Sequence, residues 1–422
     1  MSKSNEEQRT SWQPPERPEW VRKVNEEGVH MDIEHLVPLD DQSLVDSAKR
    51  MTGLSDFGDN DWVEPFQVFV DSLDREANLN LVGRLRARSH ILHLLSGRLQ
   101  IEQAYKQYPE IVEEKITEPI IVVGQGRSGT SFLVNLLAAI PENGFLSNWE
   151  AIFPCPPPKK ETYQNDARIP KAEALISQIN RVVPSMESMH EFSAWLPVED
   201  VLIESFCFRG PSWMGTLGQV PSYDAYMATQ DPIISIRYHE RVLKLLQWKN
   251  PRRRWAIKDV LFLDKMEQLL QVYPDACFVW PHRDPVKALA STISLIGTFQ
   301  WSSSDTPFIA GSYEFATDLG QAASRINRVI DKLEAGMVPD QQMFHLHYSD
   351  LIENPLGVIA GMYAHFGFEL SAESNLAVQN YINDNPRDSR PPHKFSLGSA
   401  QDVVNARAHF KRYQEHFAVP SE

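Results

Sequence analysis

Residues 120–136 read Ile-Ile-Val-Val-Gly-Gln-Gly-Arg-Ser-Gly-Thr-Ser-Phe-Leu-Val-Asn-Leu. The apolar run 120–123 is rich in β-branched residues, which is typical of a buried parallel strand. Gly124 and Gly129 then bracket a short loop, and from Thr130 onward the apolar residues follow the spacing of a helix. In such a strand–loop–helix unit, the loop amides and the positive end of the helix dipole point toward an anion. The segment therefore predicts a phosphate-binding loop.

The loop differs at one position from the nucleoside-triphosphate pattern G-x-x-x-x-G-K-[ST], because Thr130 stands where that pattern has lysine. The lysine serves the β- and γ-phosphates of a triphosphate. Its absence favours a phosphate ligand that is not a triphosphate. A tight strand-to-helix turn without a ligand is the alternative interpretation.

Composition and charge exclude several classes of function. The 422 residues are 42% hydrophobic and 23% charged, with a net charge of -15, which disfavours a general nucleic-acid or anionic-membrane binder but allows a local basic pocket. The three cysteines form no C-x-x-C pair, so neither a disulfide framework nor a metal site is predicted. No apolar run approaches the roughly 20 residues of a membrane span. The start of the chain is polar, and a cytoplasmic location is expected.

The pattern along the chain predicts three regions. Residues 1–30 carry prolines and many charges and are expected to form a loosely held polar arm. Residues 31–118 are predicted to be a helical region that packs on the core. Residues 119–422 are predicted to be an α/β domain with a P-loop-like, doubly wound parallel sheet flanked by helices. In the helical region, one helix face is predicted to carry Leu81, Leu85, Leu92, Leu95 and Leu99.

Further strands are expected at 255–257, 276–281 and 344–348. After the second of these the chain reads His282-Arg283-Asp284-Pro285, and Ser291 follows Arg283 by eight residues. Asp284 and Pro285 suit the N-cap and first turn of a helix that runs to about Leu295. An arginine at the carboxyl edge of a doubly wound sheet can bind a phosphate through two hydrogen bonds, and Ser291 can add another. The alternative is an ion pair of Arg283 with Asp284 or another carboxylate.

The two motifs together resemble the sulfotransferase family that uses 3′-phosphoadenosine-5′-phosphosulfate (PAPS). In that family a G-x-x-R-[ST]-G-[ST]-[ST] loop holds the 5′-phosphosulfate, and an arginine with a serine eight residues later holds the 3′-phosphate. PAPS has no β- or γ-phosphate, which accounts for the missing lysine. The segments Trp149–Pro154, Trp255–Lys258, Phe278–Pro285 and Tyr348–Leu351 look like the broad bacterial-type branch. Their layout is similar to that of the tyrosylprotein sulfotransferases.

The resemblance implies PAPS as the cofactor, its product 3′-phosphoadenosine 5′-phosphate (PAP), and no metal. The cofactor-binding residues that it implies are Gly126, Arg127, Ser128, Gly129, Thr130, Ser131, Arg283 and Ser291. Lys394 is a further candidate for the 3′-phosphate, by similarity to C-terminal basic residues of the family. The run Arg252-Arg253-Arg254 is interpreted instead as a solvated turn.

In-line sulfuryl transfer needs a base for the acceptor hydroxyl. The resemblance to tyrosylprotein sulfotransferases places their catalytic glutamate at Glu150, which follows the loop helix and is expected to return to the same sheet edge. An ion pair with a nearby lysine is its alternative role. His190 is the second candidate for the base, because cytosolic sulfotransferases use histidine. Glu199 and Asp200 are weaker candidates, interpreted as a pair at a helix start.

The transfer also needs a cation near the leaving oxygen, since charge builds on the departing phosphate. Lys258 emerges from the strand predicted at 255–257, and the family's lysine at this place contacts the oxygen between phosphate and sulfate. A simple ion pair with Asp259 or Asp264 is the alternative.

Residues 185–227 are rich in aromatic residues and methionine, with interspersed glycine and proline. This composition suits a lid over an apolar acceptor pocket, which would favour a hydrophobic alcohol or phenol as acceptor. Core packing is the alternative. Taken together, the sequence predicts a PAPS-dependent O-sulfotransferase. A small-molecule or nucleoside kinase with a degenerate P-loop, and a non-catalytic PAP-binding scaffold, are the other hypotheses, and a homodimer is left open.

Overall fold

A computed structural model of the protein describes residues 12–210, 218–306, 318–386 and 393–422. In these ranges one parallel sheet has the strand order β2-β3-β1-β4-β5. The strands are β1 Ile120–Val122, β2 Asn143–Phe145, β3 Arg254–Lys258, β4 Cys277–His282 and β5 Met343–His347. The predicted doubly wound α/β fold is therefore confirmed. Because β1 lies between β3 and β4, the loop that follows β1 opens at the point where such sheets bind ligands.

Alternate residues of β1 serve two different cores, as expected for a strand buried on both faces. Ile121 packs with one apolar cluster that includes the N-terminal helices. Ile120 and Val122 pack with a second cluster, which includes the helix after the loop and the helices that follow β5. Both faces of the sheet are thus covered by apolar clusters. In the described ranges this leaves the edges of the sheet and the ends of its strands for other contacts.

Helices surround this sheet. Those of the N-terminal region are Glu19–Gly28, Ile33–Leu36, Asp41–Thr52, Val63–Arg75 and Leu81–Gln107. Those of the sheet domain include Thr130–Ala138, Asn148–Ile152, Ile169–Val182, Met186–Met189, Val201–Glu204, Pro221–Ala228, Ile233–Gln247, Met266–Val272, Pro285–Trp301, Leu319–Glu334, Tyr348–Glu353, Pro355–His365, Ala372–Asp384, Ala400–His409 and Lys411–His416. Short 3-10 turns occur at Asn60–Trp62, Pro109–Glu113, Lys160–Asn165, Ser205–Cys207, Leu263–Lys265 and Asp340–Gln342.

The helix predicted to start at Pro285 does start there, and the Asp284 side chain accepts a hydrogen bond from the amide of Val286 at 3.0 Å. It runs to Trp301, beyond the predicted end near Leu295. The apolar stripe predicted on the helix Leu81–Gln107 is wrong at Leu85, which is 49% exposed. The buried positions of that helix include charged side chains such as Arg98, which a search for apolar periodicity overlooks.

Residues 12–30 are bound to the rest of the chain and do not form the loosely held arm expected from the sequence. Asn25 Oδ1 accepts a hydrogen bond from the Val82 amide at 3.1 Å. Arg17 Nη2 donates to the carbonyls of Trp301 and Ser304 at 2.6 and 2.7 Å. Backbone carbonyls and buried polar groups therefore anchor this part of the chain. Residues 1–11 lie outside the described ranges.

Part of the aromatic segment 185–227 belongs to the core. Phe206, Phe208 and Tyr223 are fully buried in the cluster that includes the N-terminal helices, and the Tyr223 hydroxyl donates to the Phe208 carbonyl at 2.7 Å. Core packing is therefore the right interpretation for these three residues. Residues 211–217 of the predicted lid lie outside the described residues.

Candidate active site

The loop after β1 is shaped by its glycines. Gly124 has φ +133°, and a Cβ there would lie 2.9 Å from the Trp280 ring. Gly129 has φ +97°, and a Cβ there would lie 2.9 Å from the Tyr348 ring. Arg127 also takes a positive φ of 68°, so the chain curls tightly before the helix Thr130–Ala138 begins. The first turn of that helix is the kind of place where anions bind.

Arg127 joins the two predicted motifs. Its Nε donates to Ser291 Oγ at 3.0 Å, and its Nη1 donates to the Met189 carbonyl at 2.8 Å. Burial lowers the pKa of Arg127, and the positive charge of Arg283 lowers it further. Two guanidinium groups held this close are suited to bind an anion such as a phosphate.

His393 is a site residue that the sequence analysis missed. Its Nδ1 lies 3.1 Å from Ser291 Oγ and 3.5 Å from Arg127 Nη2, and its Nε2 lies 3.1 Å from Ser294 Oγ. Burial, and then the charge of Arg127, lower the pKa of His393 to about 4. The ring is therefore neutral at neutral pH. Because Nδ1 faces a guanidinium donor it must accept, so Nε2 carries the hydrogen and donates to Ser294.

Lys394, the predicted residue next to it, is exposed and lines an apolar cavity described below. The sequence offered one signal for His393, its place beside Lys394 in a segment already assigned to the nucleotide. A single histidine in a segment of unknown fold carries little weight by itself.

Arg283 lies beside the loop and is already paired. Its Nη1 donates to the Arg127 carbonyl at 2.9 Å, and its guanidinium lies 4.2 Å from the Tyr348 ring. Nε and Nη2 bind the two carboxylate oxygens of Glu422 at 2.9 and 3.0 Å. The expected alternative, an ion pair, is thus present, but the partner is Glu422. Asp284 instead caps its helix and binds Arg407.

Lys258, the last residue of β3, is opposite Val122 in the sheet register. Its side chain is 1% exposed, and its Nζ lies 3.1 Å from Ser131 Oγ and 2.7 Å from Glu199 Oε1. Neither Asp259 nor Asp264, the partners considered from sequence, is its ion-pair partner. The structure therefore brings the predicted lysine to the predicted phosphosulfate loop.

A buried polar chain fixes the backbone of Lys258. Its amide donates to Asp200 Oδ2 at 2.8 Å. Asp200 Oδ1 lies 3.0 Å from His239 Nε2, and His239 Nδ1 lies 2.7 Å from the Tyr273 hydroxyl. Asp200 is therefore a positioning residue for Lys258, and His239 and Tyr273 are further contacts that sequence spacing did not indicate.

Glu199 belongs to a group of carboxylates beside Lys258. Its Oε2 is buried and has no hydrogen-bond partner within the described ranges. Burial, and then the charges of Glu199 and Glu204, raise the pKa of Asp259 well above its ordinary value. Asp259 is therefore expected to carry a proton, whereas Glu199 is paired with Lys258.

Glu150 has a different environment. It is fully buried in the helix Asn148–Ile152, where its Oε2 accepts from the Ser147 amide and hydroxyl at 3.3 and 2.7 Å in a capping box. The Tyr163 hydroxyl donates to the same oxygen at 2.9 Å, and Arg252 pairs with Oε1. Each carboxylate oxygen thus has a partner. Arg252 is buried against Glu150, so the interpretation of residues 252–254 as a solvated turn is wrong for this arginine.

His190 lies at the end of the short helix Met186–Met189. Its Nδ1 is 2.8 Å from the Glu191 carbonyl, and its ring stacks on Phe192 with 4.4 Å between the centroids. Its neighbour Met189 is the residue that contacts Arg127.

Two features are absent from the described part of the chain. No group of three or more histidine, cysteine, aspartate or glutamate side chains is placed to hold a metal ion. No described helix combines the length and apolar character needed to cross a bilayer.

Comparison with known proteins gives a consistent result. The chain is 26% identical over 261 residues to omega-hydroxy-beta-dihydromenaquinone-9 sulfotransferase Stf3 of Mycobacterium bovis, which is 59% of this chain and 62% of that protein. The same figures apply to Stf3 of Mycobacterium tuberculosis. The match therefore spans less than two thirds of these curated relatives.

Solved structures match more of the chain. Sulfotransferase STF1 of Mycobacterium tuberculosis superposes with a TM-score of 0.71 at 29% identity, covering 88% of this chain and 98% of that one. Sulfotransferase STF9 of Mycobacterium avium gives a TM-score of 0.76 at 26% identity, covering 90% and 97%. A sequence model described as the sulfotransferase family matches residues 119–372, more than half of the chain. The chain belongs to the sulfotransferase family.

Proposed function

We propose that this protein is a PAPS-dependent O-sulfotransferase that modifies the hydroxyl of a small apolar alcohol or phenol. The observation that carries the proposal is the approach of Lys258 Nζ to Ser131 Oγ, 3.1 Å away, in a loop with threonine at the P-loop lysine position. The name of the relative Stf3 refers to a hydroxylated menaquinone derivative, which supports a lipophilic alcohol as the acceptor.

The donor set fits a nucleotide with two separate anionic groups. Three cations, Arg127, Lys258 and Arg283, gather around one loop and the first turn of its helix. The residues that would hold the 5′-phosphosulfate are Gly126, Arg127, Ser128, Gly129, Thr130 and Ser131. Arg283 and Ser291 would hold the 3′-phosphate, with His393 fixing the Ser291 hydroxyl. When bound there, PAPS supplies the activated sulfuryl group.

Lys258 is proposed to stabilise the negative charge that develops on the leaving phosphate oxygen. A buried ammonium in a site that excludes water acts more strongly than one in solvent. Because Asp200 holds the Lys258 backbone, the cation is already in place before the reaction. The neighbouring strand β3 thus provides the positive charge that a nucleotide kinase has on the lysine of its loop.

Glu199 is the carboxylate that we propose as the general base. Its Oε1 is held by Lys258 at 2.7 Å, while its Oε2 is buried without a partner among the described residues. An acceptor hydroxyl near Ser131 could therefore lose its proton to Oε2. Glu150, which the sequence favoured, and His190 remain candidates, but the contacts of Glu150 with Arg252, Ser147 and Tyr163 suit a structural role better.

The proposal is tested by calorimetric titration with PAP beside ATP and Mg²⁺. We expect PAP to bind and Mg-ATP not to bind. Binding of Mg-ATP without PAP would support a kinase instead. If PAP binds, radiolabelled PAPS is then offered with decanol, farnesol and naphthol, and labelled sulfate ester is measured. PAP binding without any labelled ester in this panel would favour the non-catalytic scaffold.

Arg283→Ala should weaken PAP binding by about 2–3 kcal/mol, as expected for loss of a charged hydrogen-bond pair. Glu422→Ala should strengthen PAP binding, because the carboxylate that occupies Arg283 Nε and Nη2 no longer has to be displaced. Both affinities are measured by calorimetry. Unchanged affinity in Arg283→Ala would reject its phosphate role.

The matched control for charge is Glu415→Ala, because Glu415 is an exposed glutamate paired only loosely with Lys411 at 3.7 Å. It should leave PAP affinity unchanged. In the Arg283→Ala background, Glu422→Ala should lose its effect, since a double-mutant cycle isolates a direct pair from a general change of charge.

A further inference from the structure

An apolar cavity of about 560 Å³ lies between residues 12–17, here called the strap, and the helix Pro285–Trp301. Cavities that bind small molecules measure roughly 300–1,000 Å³. The helix contributes Val286, Leu289, Ala290 and Ile293, which share one face. The cavity is therefore large enough for a ligand and has a wall suited to hydrocarbon.

The chemistry of the lining restricts what can bind. Trp12 and Phe395 add aromatic surface to the aliphatic wall, and Lys394 is the single charged side chain that lines the cavity among the residues described. A ligand carrying several charges would lose its hydration there without compensation. The lining therefore favours an uncharged apolar group.

The polar end of the cavity adjoins the proposed nucleotide site. Ser294 and Met189 both line it. Ser294 Oγ accepts from His393, whose other nitrogen contacts Ser291, and the Met189 carbonyl accepts from Arg127 Nη1 at 2.8 Å. A molecule in the cavity would thus lie next to the groups proposed to hold PAPS.

The strap forms the outer wall and is fixed at both ends of its contact with the helix. Trp12 lies against Gly297, where a Cβ would come within 2.9 Å of the indole ring. Trp301 Nε1 donates to the Pro15 carbonyl at 2.9 Å, and the Arg17 guanidinium lies 3.6 Å from the Trp301 ring. The absence of a side chain at Gly297 lets Trp12 of the strap pack closely against the helix.

We infer that this cavity holds the apolar chain of the sulfate acceptor, with the strap as its outer wall. The inference rests on the proposed function, because the occupant is taken to be the acceptor of that reaction. The ligand class is an alcohol with an uncharged apolar chain. Its hydroxyl end points toward the Met189 side of the cavity, where the Met189 carbonyl contacts Arg127 of the proposed phosphosulfate loop, and its chain lies along the Pro285–Trp301 helix.

The test uses decanol and PAP as separate calorimetric probes of the full-length protein. Ala290→Trp places an indole into the cavity, and Ala360→Trp is its control on an exposed helix position. We expect Ala290→Trp to weaken stoichiometric decanol binding by at least about tenfold, as when bulk fills a ligand cavity. Ala360→Trp should bind like the wild type, and PAP should bind to all three proteins.

A second variant guards against misfolding of Ala290→Trp. Trp12→Ala removes part of the outer wall from a segment outside the sheet, and it should weaken decanol binding with PAP binding preserved. Decanol binding that is absent in the wild type, or is unaffected by both variants, would overturn the inference. Loss of PAP binding in Ala290→Trp with decanol binding retained would assign the cavity to the nucleotide and overturn it as well. Failure of the wild type to bind PAP would count against the proposed function alone.

Discussion

Lys258→Met should lower kcat for sulfuryl transfer by about 10²–10³-fold, the effect of removing one preorganised charge-stabilising group. Methionine keeps most of the side-chain volume, so the buried space beside Ser131 stays filled. The substitution removes the ammonium group together with its contacts to Ser131 Oγ at 3.1 Å and Glu199 Oε1 at 2.7 Å. The rate is measured with radiolabelled PAPS and the alcohol or phenol that the wild type sulfates. PAP binding is followed in parallel, and we expect it to persist.

Lys265→Met is the matched control. Lys265 lies beside the same group of carboxylates as Lys258, with its Nζ 3.7 Å from Glu204 Oε2. It contacts Glu204 and not Ser131. Its replacement should change kcat no more than an ordinary surface substitution does. A wild-type rate in Lys258→Met, or an equal loss in Lys265→Met, would show that Lys258 has no specific part in the transfer.

The fold and the backbone of the glycine loop could be predicted because their signals are local. The run 120–123, the glycines at 124 and 129, and Asp284 before Pro285 each determine the backbone within a few residues. The structure confirms the parallel sheet and the capped helix. The bounds of β3, β4 and β5 lie within two residues of the predicted ones.

The partners of the site residues could not be predicted, because they depend on contacts distant in sequence. Glu422 meets Arg283 across 139 positions, and His393 meets Ser291 across 102. No periodicity reports such pairs. The same limit applies to Leu85. The helix Leu81–Gln107 buries Arg98, whose guanidinium donates to backbone carbonyls, and it exposes Leu85 instead.

Glu150 illustrates a further limit. Its sequence position after the loop helix predicted a place at the sheet edge beside the nucleotide, but the capping box with Ser147 and the ion pair with Arg252 depend on β2 and on the start of β3. Glu199 was a weaker candidate for the base in the sequence, interpreted as one of a pair at a helix start. Its approach to Lys258 comes from the pairing of Asp200 with the end of β3, which is a tertiary contact.

Glu199→Gln should lower kcat by about 10²–10⁴-fold, the usual contribution of a general base, with PAP affinity preserved. The amide keeps the size of the side chain and still accepts a hydrogen bond from Lys258, so the geometry around Ser131 is retained. It can no longer take a proton from the acceptor hydroxyl. The measurement is kcat with radiolabelled PAPS, together with the thermal unfolding midpoint.

Glu150→Gln separates this assignment from the one that the sequence favoured. It breaks a fully buried pair with Arg252, so the free energy of unfolding should fall by about 3–5 kcal/mol, while folded protein at lower temperature should keep much of its kcat. Glu204 is a buried member of the group of carboxylates beside Lys258. Glu204→Gln therefore controls for the change of local charge and should retain activity. A large loss of kcat in Glu150→Gln at wild-type stability, with Glu199→Gln active, would restore Glu150 as the base. If Glu199 takes the proton, Glu199→Gln lowers the rate and Glu150→Gln lowers mainly the stability. If Glu150 takes the proton, it is Glu150→Gln that lowers the rate.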